Sequence, residues 1–216
     1  VLDNLSTGRL ENIIKFKNKI KFIKCDISKK GKWINEFNAK CYVFHLAALA
    51  DIVPSIQNPK KYFNSNVLGT LNILEASRNA KIIKLIYTAS SSCYGIPKQF
   101  PTKEKQTISN KYPYALTKKI GEDLIIHWVK VYKTKNISLR FFNTYGPRST
   151  TTGAYGAVFG LFLAQKINKK PLTIVGDGNQ TRDFLFVSDL VDAIFKISKK
   201  IHKPSIYNVA SGKETK

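Results

Sequence analysis

Short apolar runs alternate along this chain with longer stretches of helical period. The runs at 1–2, 20–24, 42–46, 82–89 and 137–142 read as strands, rich in Ile, Val, Tyr and Phe. Between them the spacing predicts helices over 32–37, 59–79 and Pro113–Tyr132. In the last of these Leu116, Ile120, Leu124, Ile125, Trp128 and Val131 are expected to lie close to a single buried stripe. Strands separated by amphipathic helices predict an α/β fold, a doubly wound parallel sheet covered on both faces.

After Pro147 the pattern changes to a loop, a helix over 157–167, a short strand over 172–175, a Gly-rich turn, a strand over 184–187 and a helix over 188–198. This predicts a main domain over 1–147 and the start of a smaller lobe over 148–216. A length of 216 residues with 43% hydrophobic content suits that division. No run of 18 uncharged apolar residues occurs, and the first residues lack the pattern of a secretion signal. The expectation is a cytoplasmic protein that does not span a membrane.

The net charge of +22 raises nucleic-acid binding as a possibility. Lysine is scattered along the whole chain, however, and no recognition motif accompanies it, so no nucleic-acid partner is expected. Arginine is used sparingly: Arg9, Arg140, Arg148 and Arg182 sit inside motifs where a planar, bidentate fork has a use, and Arg78 reads as a surface residue. Cys25, Cys41 and Cys93 are widely spaced, with no Cys-x-x-Cys pair, which predicts neither a disulfide framework nor a metal site. Cys25 and Cys41 border apolar strands and are expected in the core, Cys93 in a more exposed turn.

Tyr114-Ala115-Leu116-Thr117-Lys118 places a phenol and an ammonium on one face of a helix, within reach of one ligand. A phenol with a pKa near ~10 becomes a useful base only if a nearby cation stabilises the phenolate by about 4 kcal/mol. Upstream, the strand over 82–89 delivers Ser90-Ser91-Ser92-Cys93-Tyr94-Gly95 to the carboxyl edge of the sheet, where ligands of open α/β folds bind.

With these segments the sequence resembles the NAD-dependent epimerase/dehydratase family, the extended short-chain dehydrogenases that act on nucleotide sugars. Further segments carry the resemblance: Asp3-Asn4-Leu5-Ser6-Thr7-Gly8, Cys25-Asp26-Ile27, His45-Leu46-Ala47-Ala48, Asn66-Val67-Leu68-Gly69-Thr70, Arg140 to Arg148, and Gly176 to Phe184. The resemblance implies a Rossmann-like domain followed by a nucleotide-sugar lobe. It implies Ser90, Tyr114 and Lys118 as catalytic residues. It implies NAD held by Asp3, Asn4, Ser6, Gly8, Asp26, Ile27, Leu46, Ala47, Ala48, Asn66, Tyr114 and Lys118. It implies a nucleotide-diphosphate sugar, such as a UDP-sugar, held by Ser91, Ser92, Asn143, Ala157, Val158 and Arg182. His45 reads equally as a satisfied strand-end histidine or a cofactor contact. The family pattern also implies a homodimer through the helix Pro113–Tyr132.

The family's first strand and its G-x-x-G-x-x-G loop are not within these residues, and the chain opens at Val1 inside a strand with no Met anywhere. It therefore reads as a piece of a longer reading frame, with a cleft expected between the strands at 1–2 and 42–46. Members that eliminate water or decarboxylate carry an acid just after the catalytic hydroxyl. Here Ser91 and Ser92 follow it, which points to epimerisation at C4, with a dehydratase, a decarboxylase or a non-catalytic basic module as alternatives.

Overall fold

The computed structural model describes residues 1–97, 99–149, 158–174, 176–200, 203 and 205–216. In chain order the strands are β1 (Leu2–Asp3), β2 (Ile23–Lys24), β3 (Tyr42–His45), β4 (Lys84–Ser90), β5 (Ile137–Phe141), β6 (Asn143–Tyr145), β7 (Phe184–Phe186) and β8 (Ile206–Val209). The α-helices are α1 (Ile52–Gln57), α2 (Pro59–Tyr62), α3 (Gly69–Asn79), α4 (Pro113–Tyr132), α5 (Val158–Ile167) and α6 (Val187–Lys199). All strand pairs are parallel, in the orders β3-β4-β5-β8, β1-β2 and β6-β7.

The reason β4 reads as an unbroken apolar run is that both of its faces are covered. Leu85, Tyr87 and Ala89 point to one side, into a core with Ile73 and Leu74 of α3 and Ile125 and Trp128 of α4. Ile86 points to the other, against Ile137, Leu139, Leu185 and the α6 residues Leu190 and Ile194. Period-two alternation thus divides one strand between two helical layers.

Part of the segment 148–216, expected as a separate lobe, returns to this sheet. Strand β8 pairs with β5 from Ser138↔Ile206 to Phe141↔Val209, and α6 packs on the second core. The buried Lys84 secures that return, since its Nζ donates to the carbonyls of Ile197, Ser198 and Lys200 at 3.3, 3.0 and 2.7 Å, where the last turn of α6 lacks intrahelical donors.

Several expected elements differ in detail. The segment at 32–37 is a 3-10 helix, Lys32–Glu36, rather than an α-helix. The helix expected over 59–79 changes winding midway, from α2 through a π-helical turn at Phe63–Leu68 into α3. No strand forms over 172–174; Pro171 has no amide to donate, Leu172 and Ile174 are exposed, and Thr173 N bonds instead to the Gln165 side chain at 3.1 Å. Val175 of that expected strand lies outside the described residues. The cysteines reverse their expected places: Cys93 is buried, while Cys25 and Cys41 are only partly so. Cys93 is drawn in with its neighbour Tyr94, also buried, and its carbonyl accepts from the Ser109 amide at 2.8 Å.

Strands β1 and β3 belong to different sheets, and a cleft of about 760 Å³ opens between them. Tyr42 and Phe44 on the free edge of β3 are exposed beside it.

Candidate active site

The strand ends determine where chemistry can gather. Strands β1, β2, β3 and β4 all point their carboxyl ends to the same region, so the loops after them line one continuous depression. Its wide part is the cleft beside β1, lined by Asp3, Asn4, Ser6, Thr7, Gly8, Asp26, Ile27, His45, Leu46, Ala47 and Ala48. Its narrow part, of about 270 Å³, is lined by Leu46, Ala48, Ala50, Thr88, Ala89, Ser90, Tyr114, Lys118, Phe141, Phe142 and Thr144. Leu46 and Ala48 belong to both, so the turn after β3 joins the two parts.

In the wide part the Asp3 carboxylate accepts from Leu5 N at 2.6 Å and lies close over Gly8. A Cβ on Gly8 would stand 3.0 Å from that carboxylate, so glycine keeps the cradle open. Asp26 is fixed by the Ser28 amide and hydroxyl at 2.9 and 2.7 Å, which holds its carboxyl below the usual range. These residues fit the ribose and adenine end of a dinucleotide, with carboxylates free to accept from sugar hydroxyls.

Asn66 was expected among the cofactor contacts, and the structure assigns it elsewhere. It is fully buried in the π-helical turn, accepting from Leu49 N at 2.8 Å and donating to Leu49 O and Thr117 Oγ1 at 3.0 and 3.1 Å. Its whole amide is used to clamp the turn after β3 against α4, and Thr117 passes the link on to the Tyr114 carbonyl at 2.9 Å. A π-turn places one side chain out of helical register, which lets Asn66 reach both elements. His45 is also inward: its Nε2 lies 2.9 Å from Thr70 Oγ1, which itself donates to the Asn66 carbonyl, so the ring Nε2 is the donor. Burial lowers its pKa to about 3. The satisfied-histidine reading is the one the structure supports.

Ser90 caps the 3-10 turn Ser91–Tyr94, its Oγ accepting from Ser92 N at 3.2 Å and from Ser92 Oγ at 2.8 Å. Helix α4 begins at Pro113 without a side-chain cap of its own; Ser55 of α1 supplies the acceptor for Tyr114 N at 3.1 Å. Pro113 at the first position and this borrowed cap fix where the Tyr114 side chain enters the pocket.

The electrostatics run against the simple expectation of a ready phenolate. Burial pushes the Tyr114 phenol above its ordinary value, with hydrogen bonding to Ser90 and Ser92 opposing. Burial likewise pulls Lys118 down to about 7. Its Nζ lies 4.6 Å from the centre of the Tyr87 ring, and no salt-bridge partner stands beside it among the described residues. In the chain alone Lys118 is therefore a weakened cation beside a protonated phenol.

The expected substrate residues divide. Ser91 and Ser92 lie in the turn beside Ser90. Asn143 starts β6 and donates to the Asp183 carbonyl at 3.1 Å, beside Arg182, whose guanidinium is exposed. Val158 begins α5, and its neighbour Phe159 stacks on Tyr145 with centroids 4.4 Å apart. None of Asn143, Val158 or Arg182 lines the Ser90 pocket; Ala157 lies outside the described residues. Phe141, Phe142 and Thr144 do line it. They stood within a recognised motif without an assigned role, and the signal for them was their position at the carboxyl end of β5.

Among the described residues no cluster of His, Cys, Asp or Glu could hold a metal ion, and no helix is long and apolar enough to cross a membrane.

The comparisons agree with this geometry. The family model described as "NAD dependent epimerase/dehydratase family" matches residues 1–210. The UDP-glucose 4-epimerase of Mycolicibacterium smegmatis is 34% identical over 219 residues, covering 99% of this chain and 69% of that protein. UDP-glucuronic acid decarboxylase 1 of Arabidopsis thaliana is 34% identical over 209 residues, covering 94% of this chain and 46% of that one. The structure of UDP-N-acetylglucosamine 4-epimerase from Methanobrevibacter ruminantium, in complex with UDP-N-acetylmuramic acid, superposes with a TM-score of 0.95 at 32% identity, covering 99% of this chain and 69% of that one. A strand-end serine, a helical Tyr-Lys pair and a cleft suited to a dinucleotide, on a parallel sheet shared with these proteins, place the chain in the NAD-dependent epimerase/dehydratase family.

Proposed function

We propose that the protein epimerises C4 of a nucleotide-diphosphate sugar through a 4-keto intermediate. The observation that carries this reading is the pocket itself: Ser90, Tyr114 and Lys118 line it together, and the turn from Ser91 to Tyr94 brings no carboxylate beside them. Elimination or decarboxylation needs an additional acid or base; removal and return of hydrogen at one carbon does not.

Asp3, Asn4, Ser6, Gly8, Asp26, Ile27 and the turn over Leu46 to Ala48 would hold NAD, which would supply the two-electron chemistry when bound. Tyr114 takes the proton from the 4-hydroxyl and later returns one. Ser90 Oγ holds the same oxygen by a hydrogen bond. Lys118, once it carries its proton, draws the Tyr114 phenol down from its raised value. Asn143 and Arg182 are read as the diphosphate side of the site, where a guanidinium can grip paired oxygens. Leu116, Val131 and Tyr132, exposed along α4, are the apolar positions a helix-paired homodimer would cover.

The test is product analysis after incubation of the protein and NAD with UDP-glucose, dTDP-glucose and UDP-glucuronate. Epimeric sugars are expected from at least one substrate, and Tyr114→Phe is expected to lower the rate by about 100-fold or more. Release of carbon dioxide or a 4-keto-6-deoxy product, or normal turnover in Tyr114→Phe, would overturn the reading.

A further inference from the structure

We infer that Tyr94, anchored by the buried Glu122–Arg140 pair, is a positioning residue that sets the Ser90 and Ser92 hydroxyls against the Tyr114 phenol. The inference rests on the reading of those hydroxyls as the reacting site.

The anchor is a two-pronged ion pair in the interior. Arg140 Nη2 and Nε donate to Glu122 Oε1 and Oε2 at 2.6 and 2.9 Å, and Ser138 Oγ donates to Oε2 at 3.2 Å. Lys119 Nζ adds a second cation 3.7 Å from Oε1. Both partners are almost fully buried, so the pair is not a solvated surface bridge. The remaining Arg140 nitrogen, Nη1, donates to the Tyr94 hydroxyl at 2.6 Å and to the Glu104 carbonyl at 3.0 Å. The Tyr94 hydroxyl in turn donates to Asn208 Oδ1 at 2.8 Å. Asn208 is held from the other side, its amide donating to Glu104 Oε1 at 2.8 Å and its side chain to the Thr102 carbonyl at 2.9 Å.

These contacts close a mechanical ring. Glu122 follows Tyr114 and Lys118 along one face of α4, as residues spaced by four do. Tyr94 ends the one-turn 3-10 segment that Ser90 caps. Ala89 stands opposite Arg140 in the β4–β5 register, so the ring is also stitched through the sheet. Going round it, Ser90 leads through the turn to Tyr94, across to Arg140 and Glu122, back along the helix to Tyr114, and across the pocket to Ser90. Apart from the open side across the pocket, the links are the capped 3-10 turn, the charge-assisted hydrogen bonds of Arg140 and the regular helix α4, with the β4–β5 register bracing them. The length of the open side, from serine to phenol, is consequently fixed by the other three.

Tyr94→Phe removes one oxygen from the ring and leaves the buried aromatic packing in place. The experiment labels tyrosine Cζ with ¹³C in the full chain and assigns the Tyr114 resonance by its loss in Tyr114→Phe. The Tyr114 resonance, which reports hydrogen bonding to the phenol, is expected to move in Tyr94→Phe. It is expected to stay in Ile194→Val, a truncation in the second core that loosens the fold without touching the ring. In turnover assays kcat is expected to fall about 10- to 100-fold while KM for the nucleotide sugar stays within about twofold. An unmoved Tyr114 resonance, equal movement in the Ile194→Val control, or an unchanged kcat in an active background overturns the inference. A Tyr114 resonance that moves in Tyr94→Phe, together with a wild-type protein that epimerises nothing, upholds the positioning and removes the epimerase reading instead.

Discussion

Replacing Gly121 with alanine tests how closely α4 must lie on β4. Helical propensity alone predicts a gain, because alanine in a helix interior is favoured over glycine by roughly 0.5–1 kcal/mol. Geometry predicts a loss. A Cβ on Gly121 would stand 2.8 Å from Cζ of Tyr87 and closer still to its hydroxyl, where ordinary carbon contacts need about 3.5–4.0 Å. The ring cannot withdraw: Tyr87 is buried in the centre of β4, and its hydroxyl donates to the Lys118 carbonyl at 3.2 Å. The helix must lift by about 1 Å, which costs about 1–3 kcal/mol in overpacking, and the stranded hydroxyl adds about 1–3 kcal/mol. After subtracting the propensity gain, Gly121→Ala is expected to be less stable by about 1–5 kcal/mol. Urea denaturation followed by fluorescence reads this directly, since Trp128 is buried two turns further along the same helix. The double variant Tyr87→Leu, Gly121→Ala is expected to recover part of the loss, because leucine lacks the atoms that collide. Wild-type or higher stability in Gly121→Ala would show that the close approach is not needed and would refute the reasoning.

Four further outcomes follow from the same contacts. Glu122→Gln leaves Arg140 buried without its carboxylate and is expected to cost about 3–5 kcal/mol in urea denaturation. Lys84→Met strands carbonyls at the end of α6 and is expected to cost about 1–3 kcal/mol and to speed hydrogen exchange over 195–200. His45, neutral in the fold with its pKa lowered from 6.5 to about 3, makes the unfolded chain the better proton binder between those values. Stability is therefore expected to fall by up to about 1.4 kcal/mol per pH unit below 6.5, less so in His45→Gln. Lys118, lowered from 10.5 to about 7, works in the same sense at higher pH: its burial costs most below about 7 and the cost is relieved as pH rises towards 10.5. Lys118→Met is expected to be more stable than wild type at pH ~6, with an advantage that shrinks by about 1.4 kcal/mol per pH unit above ~7 in urea denaturation.

What the sequence disclosed was whatever local spacing controls. Tyr114 and Lys118 share a helical face because of their separation, Ser90 ends a strand because the apolar run stops there, and Pro113 marks the start of α4 to the residue. The resemblance then supplied the identity of the cleft. Three-residue β6 and four-residue β8 escaped because pairing with β7 and β5, rather than their own composition, makes them strands. The π-turn at Phe63–Leu68 escaped because its apolar residues also satisfy an α-helical pattern; only the demand of Asn66 for Leu49 and Thr117 reveals the extra residue. The protonation states of the candidate site were equally hidden. A Tyr-Lys spacing suggests mutual stabilisation of charge, whereas burial acts on each group separately and moves both towards neutrality.

The return of β8 to the sheet has a consequence for how the protein emerges during synthesis. Three acceptors for the Lys84 ammonium, the partner for the Tyr94 hydroxyl and the outer neighbour of β5 are all supplied by residues 197–209. A nascent chain that has already made α4 and β5 holds Arg140 and Glu122 but cannot yet shield β5 or complete the contacts of Tyr94. Ribosome-bound intermediates stalled before residue 197 are thus expected to leave the outer edge of β5 unpaired, an edge that the arrival of β8 closes.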